Sequence, residues 1–255
     1  MNILIILLTL FLSCSKDRKS NKTNSSLQEL LREKTTQEIA KTLIKKLSEQ
    51  KNLDNESKVP SAQLRTSIIS LAFKEKYLDD IINTGEFLNA HQVQNSSFND
   101  DLKERATVED LLINAPLSEF RTPQNKEKIA ELRPKYSFLI NNQPLFSLPE
   151  SKINSEYGNI LAVMKDQVKE RSTFTIGDSL DLKDPKYLNT FYLKKTPLAA
   201  KNEVPYWEAQ IWGKLTLEDV DYFLINCQSF PRLQKESILK LLKITPHVYK
   251  CLINK

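Results

Sequence analysis

The sequence predicts an α+β protein in which a helical N-terminal half packs on a small, bent mixed β-sheet drawn from the C-terminal half. Two observations carry this. Between residues 27 and 134, apolar residues recur mostly at three- and four-residue spacing, with Glu, Lys and Gln between them. From Tyr136 onward the pattern becomes short runs rich in Ile, Phe, Tyr, Trp and Thr, bounded by Asn, Pro, Gly and Asp. These runs do not alternate regularly with helices, as a parallel βαβ sheet would require. The 255 residues are 40% hydrophobic and 27% charged, enough for one real core. That balance is too apolar for a fully disordered chain and too polar for a multi-span membrane protein. Four glycines argue against a propeller, and no 20- to 50-residue period marks a solenoid.

Residues 1–13 read as a secretory signal. Ile3 to Leu8 and Leu10 to Leu12 form an apolar run too short to span a bilayer, which takes roughly 20 residues. No Lys or Arg precedes the run, a departure from the usual charged start that is compatible with an initiator upstream. The run ends in Leu12-Ser13-Cys14, which resembles a bacterial lipobox. That resemblance implies acylation of Cys14 and a membrane-anchored lipoprotein at the outer surface. Residues 14–26 hold no apolar residue after Cys14 and read as a disordered tether. The Lys-, Asn- and Ile-rich composition resembles that of surface lipoproteins of the Lyme-disease spirochaetes.

The helical region is expected over 27–134. Leu27, Leu30, Leu31, Ile39, Leu43, Ile44 and Leu47 share helical spacing. Pro60-Ser61 is expected to open a second helix carrying Leu64, Ile68, Leu71, Leu78 and Ile82, with Gly85 as its stop. Residues 89–101 read as a loop, Thr107 to Asp110 as a helix start, and Thr122-Pro123 as another, closed before Pro134. Strands are expected at 136–140, 160–164, 172–176, 206–212 and 222–227, with a return to helix after Pro231.

Two strings stand out within 135–255. One is Glu170-Arg-Ser-Thr-Phe-Thr-Ile-Gly-Asp-Ser179; the other is Pro205-Tyr-Trp-Glu-Ala-Gln-Ile-Trp-Gly213. Period-two alternation puts Tyr206, Glu208, Gln210 and Trp212 on one face of the second strand. On the first, Ser172 and Phe174 share one face, and Thr173 and Thr175 the other. A carboxylate and an amide side by side among aromatics suit a site or a solvated face. The bland reading is that Ser-Thr-Phe-Thr is ordinary strand sequence and that Gly177-Asp178-Ser179 is an ordinary turn.

The pairing of Arg-Ser-Thr-x-Thr (Arg171 to Thr175) with a later Glu-x-Gln (Glu208 to Gln210) resembles the ADP-ribosyltransferase fold, in particular its divergent bacterial and phage-associated members. The likeness covers roughly residues 136–226. It implies NAD as substrate, with Ser172, Thr173 and Thr175 shaping the nicotinamide pocket and Arg171 and Tyr206 helping to hold the dinucleotide. It implies Glu208 as the carboxylate that stabilises the cationic ribosyl centre. Gln210 stands where active members usually carry a second Glu, which puts retained activity in question. Arg133 is the nearest candidate for the family's early-strand Arg.

Other chemistry is poorly represented. Cys14, Cys227 and Cys251 lack metal-site spacing, so no metal is expected. His91 and His247 belong to no recognisable motif, and the sequence has no phosphate loop, Gly-x-Ser-x-Gly or Rossmann fingerprint. The net charge of +5 is scattered rather than striped, so no nucleic-acid partner is expected. Two functions follow: an anchored NAD-consuming transferase, or a non-enzymatic surface lipoprotein that binds a host or vector protein.

Overall fold

In the computed structural model, residues 26–49, 67–93, 100–140, 158, 160–176, 179, 207–225, 235–244 and 248–250 are described. Cys14 and Tyr206 lie outside them. The first helical stretch is two helices, α1 over 26–33 and α2 over Thr36–Glu49. The break has a local cause. Thr35 N donates to Glu38 Oε2 at 2.8 Å and Glu38 N donates to Thr35 Oγ1 at 3.3 Å, a reciprocal cap that starts a new helix. The bonds that the Thr35 N–H and hydroxyl donate to it hold the Glu38 carboxyl below its ordinary pKa. Helix α1 begins at residue 26, just inside the stretch expected to be a tether.

The expected helix from Pro60 to Gly85 is corrected by the structure. Ile68–Phe73 is a strand, β1, and helix α3 is confined to Leu78–Thr84. Strand β1 is central to a seven-stranded sheet, and its sequence, apolar but for Ser70, lacks period-two alternation and so imitates a helix segment. Gly85 does end α3, in the left-handed conformation with φ 74°. Next come β2 (Glu86–Phe87), α4 (Ala90–Val93), α5 (Asp100–Ile113) and α6 (Lys126–Leu132). Helix α5 starts seven residues before the expected Thr107.

The remaining strands are β3 (Lys135–Ile140), β4 (Ile160–Met164), β5 (Ser172–Ile176), β6 (Trp207–Ile211), β7 (Leu215–Thr216), β8 (Val220–Ile225) and β9 (Val248–Lys250). Helix α7 (Lys235–Ile244) precedes β9. The order in the main sheet is β5-β6-β3-β1-β4-β8-β9, with β2 and β7 paired apart. All ladders are antiparallel except β8 with β9. The α+β class holds, but the sheet is larger than expected and draws its central strand from the half read as helical.

Each sheet face buries its own set of side chains. Ile69, Leu71, Phe73, Ile160, Ala162, Phe174, Ala209, Ile211 and Phe223 enter one large core with Leu78 and Ile81 of α3 and Leu241 of α7. On the opposite face, Trp212 is enclosed by Leu31 of α1, Ile39 and Leu43 of α2, Leu112 of α5 and Ile129 of α6. Gly213, at φ 77°, permits this approach: a Cβ there would lie 2.6 Å from the Thr36 carbonyl oxygen.

Candidate functional site

Strands β5 and β6 pair antiparallel, with Thr173 opposite Gln210 and Thr175 opposite Glu208. Period-two geometry sends these four side chains to one face, that of Trp212. There they form a connected polar network. Thr173 Oγ1 donates to Gln210 Oε1 at 2.8 Å, and the Trp212 indole N–H donates to Thr173 Oγ1 at 2.9 Å. Gln210 Nε2 donates to Thr175 Oγ1 at 2.9 Å and to Glu208 Oε1 at 2.6 Å. Glu208 Oε1 also accepts a short bond from the Ser179 hydroxyl and a longer one, 3.3 Å, from the Ser179 backbone N–H. The carboxylate is thus held by Gln210 of its own strand and by Ser179 of the segment after β5.

Glu208 keeps 6% of its surface exposed, while Thr173 and Gln210 keep none. The neighbouring strand supplies the open side. Phe138 of β3 is the cross-strand partner of Glu208, and Tyr136 is that of Gln210. Both rings are only half-buried, forming an aromatic ledge beside the carboxylate.

A second polar cluster lies behind Tyr136. The Tyr136 hydroxyl donates to Glu109 Oε1 at 3.1 Å. His91 Nε2 lies 2.9 Å and Arg133 Nη1 3.4 Å from Glu109 Oε2. Arg133 also donates to Asp110 Oδ1 at 2.6 Å, the Ala106 carbonyl at 3.0 Å and Ser118 Oγ at 2.9 Å. Burial, and next the charge of Glu109, push the Tyr136 hydroxyl well above its ordinary pKa; Glu208 adds to the effect and Arg105 opposes it. A cavity of about 70 Å³ borders this cluster, lined by His91, Ser118, Arg121 and Arg133 among others.

The structure therefore brings Glu208, Gln210, Thr173 and Thr175 together, and separates Ser172 and Arg171 from them. Ser172 points to the opposite face, where its hydroxyl donates to the Val168 carbonyl at 2.8 Å. Arg171 is buried in a structural clamp, donating to the Trp212 carbonyl at 2.7 Å and to Asp219 Oδ2 at 2.8 Å. Burial lowers its pKa, and Asp219 opposes that shift. Arg133 is likewise committed to the cluster around Asp110 and Glu109. Ser179, read as part of an ordinary turn, was missed, as were Tyr136 and Glu109. Nothing local in the sequence marks Glu109, because its partners come from three other elements. Among the described residues, no group of three or more His, Cys, Asp and Glu side chains is arranged to hold a metal.

No family model matches the chain, and no curated protein matches it. Among solved structures, the chain is similar to Thermus sp. 2.9 DarT in complex with NAD+, at 12% sequence identity and a TM-score of 0.39. The match covers 73% of this chain and 92% of that one. A likeness at this level assigns neither a fold family nor an activity.

Proposed function

We propose that the β5–β6 face is an NAD-consuming transferase site of the ADP-ribosyltransferase type, in which Glu208 is the catalytic carboxylate. The observation that carries the reading is the held carboxylate: Glu208 Oε1 receives Ser179 and Gln210 on one side, beside the half-buried Phe138 and Tyr136. When a ribosyl C–N bond breaks, its electron pair leaves with the nicotinamide and positive charge develops on the sugar. A carboxylate fixed in advance by hydrogen-bond donors needs little reorganisation to meet that centre. In this reading Gln210 is a positioning residue. Its amide is held by Thr173 and Thr175 and in turn holds Glu208, which offers a role for Gln at a position where a second acid is usual. Thr173 and Thr175 act with it, and the aromatic ledge receives the substrate's flat rings.

We further read the chain as anchored by lipid at Cys14, so that this site works at a membrane surface. The support is the apolar run ending in Leu12-Ser13-Cys14 and the polar stretch after it. Among the described residues, no helix is long and apolar enough to cross a membrane.

Glu208→Gln tests the chemistry, because it keeps the shape and removes the charge. NAD turnover should fall by about 10²- to 10³-fold, while the unfolding midpoint and NAD affinity change little. Wild-type protein that neither binds nor consumes NAD would refute the assignment and leave the non-enzymatic reading, with a host or vector protein as partner.

A further inference from the structure

One side of α5 grips a single ring. Arg105 and Glu109 stand one helical turn apart and so share a side of the helix. The Arg105 guanidinium carbon lies 5.0 Å from the centre of the Tyr136 ring, and Glu109 Oε1 accepts the Tyr136 hydroxyl at 3.1 Å. The ring is therefore held on its face and at its tip by the same helix. Glu109 is fully buried, and burying a carboxylate is costly without a compensating partner. His91 and Arg133 stand beside it, at 2.9 Å and 3.4 Å. Arg133 does not itself require Glu109, because Asp110 Oδ1, at 2.6 Å, already answers its charge. The second buried carboxylate is surplus to that ion pair, and the group it serves is Tyr136.

Tyr136 connects this grip to the site. It is the cross-strand partner of Gln210, whose amide holds Glu208, and directly opposed residues of a ladder point to the same face. Two residues along β3, Phe138 is the partner of Glu208 itself. Glu208 also acts on the Tyr136 hydroxyl, adding to the rise in its pKa that burial and Glu109 produce. With its proton committed to Glu109 and one face covered by Arg105, the ring keeps one orientation beside Gln210 and Phe138.

We propose that Glu109 is a positioning residue of this site and acts through Tyr136: it fixes the ring of the ledge on which the substrate rests. A helix outside the strand motifs then sets how tightly NAD binds. The proposal rests on the reading of the β5–β6 face as an NAD site, and not on the catalytic role of Glu208. A hydrogen bond to a charged group is worth about tenfold or more in an equilibrium constant. Removing the Glu109 acceptor releases the ring, so the loss falls on NAD affinity. Turnover of bound NAD stays with Glu208 and changes little.

A double-mutant cycle on the full chain tests it, with NAD affinity read by calorimetry and turnover at saturating NAD beside it. Glu109→Met, close in shape but unable to accept the bond, and Tyr136→Phe should each weaken NAD about tenfold. Both should keep the wild-type circular dichroism spectrum and nearly the wild-type turnover. The double variant should bind no more weakly than either single one, because both remove the same contact. Asp110→Asn breaks the neighbouring pair with Arg133; it should lower the unfolding midpoint and leave NAD affinity unchanged. Additive losses in the cycle, or an equal loss of affinity in Asp110→Asn, would overturn the proposal by reducing Glu109 to a support of the fold. Unaltered NAD affinity in Tyr136→Phe would overturn it whether or not Glu109→Met folds, as would no NAD binding by the wild type. If Glu109→Met and Tyr136→Phe weaken NAD while Glu208→Gln leaves turnover unaltered, the positioning role stands and the catalytic role of Glu208 falls. If Glu208→Gln abolishes turnover while Glu109→Met binds NAD normally, Glu208 stands and the positioning role falls.

Discussion

Replacing Gln210 by Glu would set two carboxylates in contact, and the structure gives the size of the effect. The Gln210 amide nitrogen lies 2.6 Å from Glu208 Oε1. Two unit charges at that separation repel by roughly 6 kcal/mol at an effective dielectric constant of about 20. That equals about 4.5 pH units of titration, so the pair should share one proton from the ordinary glutamate range near 4.3 up to about pH 9. The sign follows from proton counting. The folded variant holds a proton that its unfolded chain has released above about pH 4.3, so stability is full at low pH and falls as pH rises. The expected slope is about 1.4 kcal/mol per pH unit relative to wild type, or about 3 kcal/mol between pH 5 and pH 7. At pH 5 the shared proton still bridges the two side chains, and the variant should be near its most stable relative to wild type. Urea unfolding of both proteins at pH 5, 6 and 7 measures this directly. A stability difference that stays constant across those three values would mean that residues 208 and 210 are not in contact, and the network built on them would fail.

Two further outcomes are expected. Lys135 is buried and donates to the carbonyls of Glu131 at 3.0 Å and Gly213 at 2.7 Å; burial lowers its pKa from 10.5 to about 7. Between those values the unfolded chain holds a proton that the folded one has lost, so stability should rise from pH 7 to pH 10 by up to about 1.4 kcal/mol per unit. Lys135→Met should flatten that rise, and an unchanged slope in urea melts would contradict the assignment. At the other end of the chain, Cys14→Ala should abolish incorporation of labelled fatty acid and move the protein from the detergent phase to the aqueous phase; continued labelling would remove the anchor.

The strands of the C-terminal half were legible because each carries its own local signal. Ile160–Met164 is a continuous apolar run and Ser172–Ile176 is rich in β-branched and aromatic residues, and the bounds of both match the expected ones. The alternation that put Glu208 with Gln210, and Thr173 with Thr175, was also legible, because the period of a strand is a property of the backbone. Strand β1 was not, because a central strand that carries apolar residues on both faces lacks the alternation that distinguishes it from a helix. The roles of the polar residues lay further out of reach. Thr173 and Ser172 are adjacent in sequence, yet one joins the Glu208 network through Gln210 and the other caps a carbonyl on the opposite face. Arg171 read as a binding residue until Asp219, far along the chain, was seen to hold it. Local periodicity says which way a side chain points; only the packing of distant elements decides whether its charge is already satisfied when it arrives, because Coulomb and hydrogen-bond partners are set by distance in space.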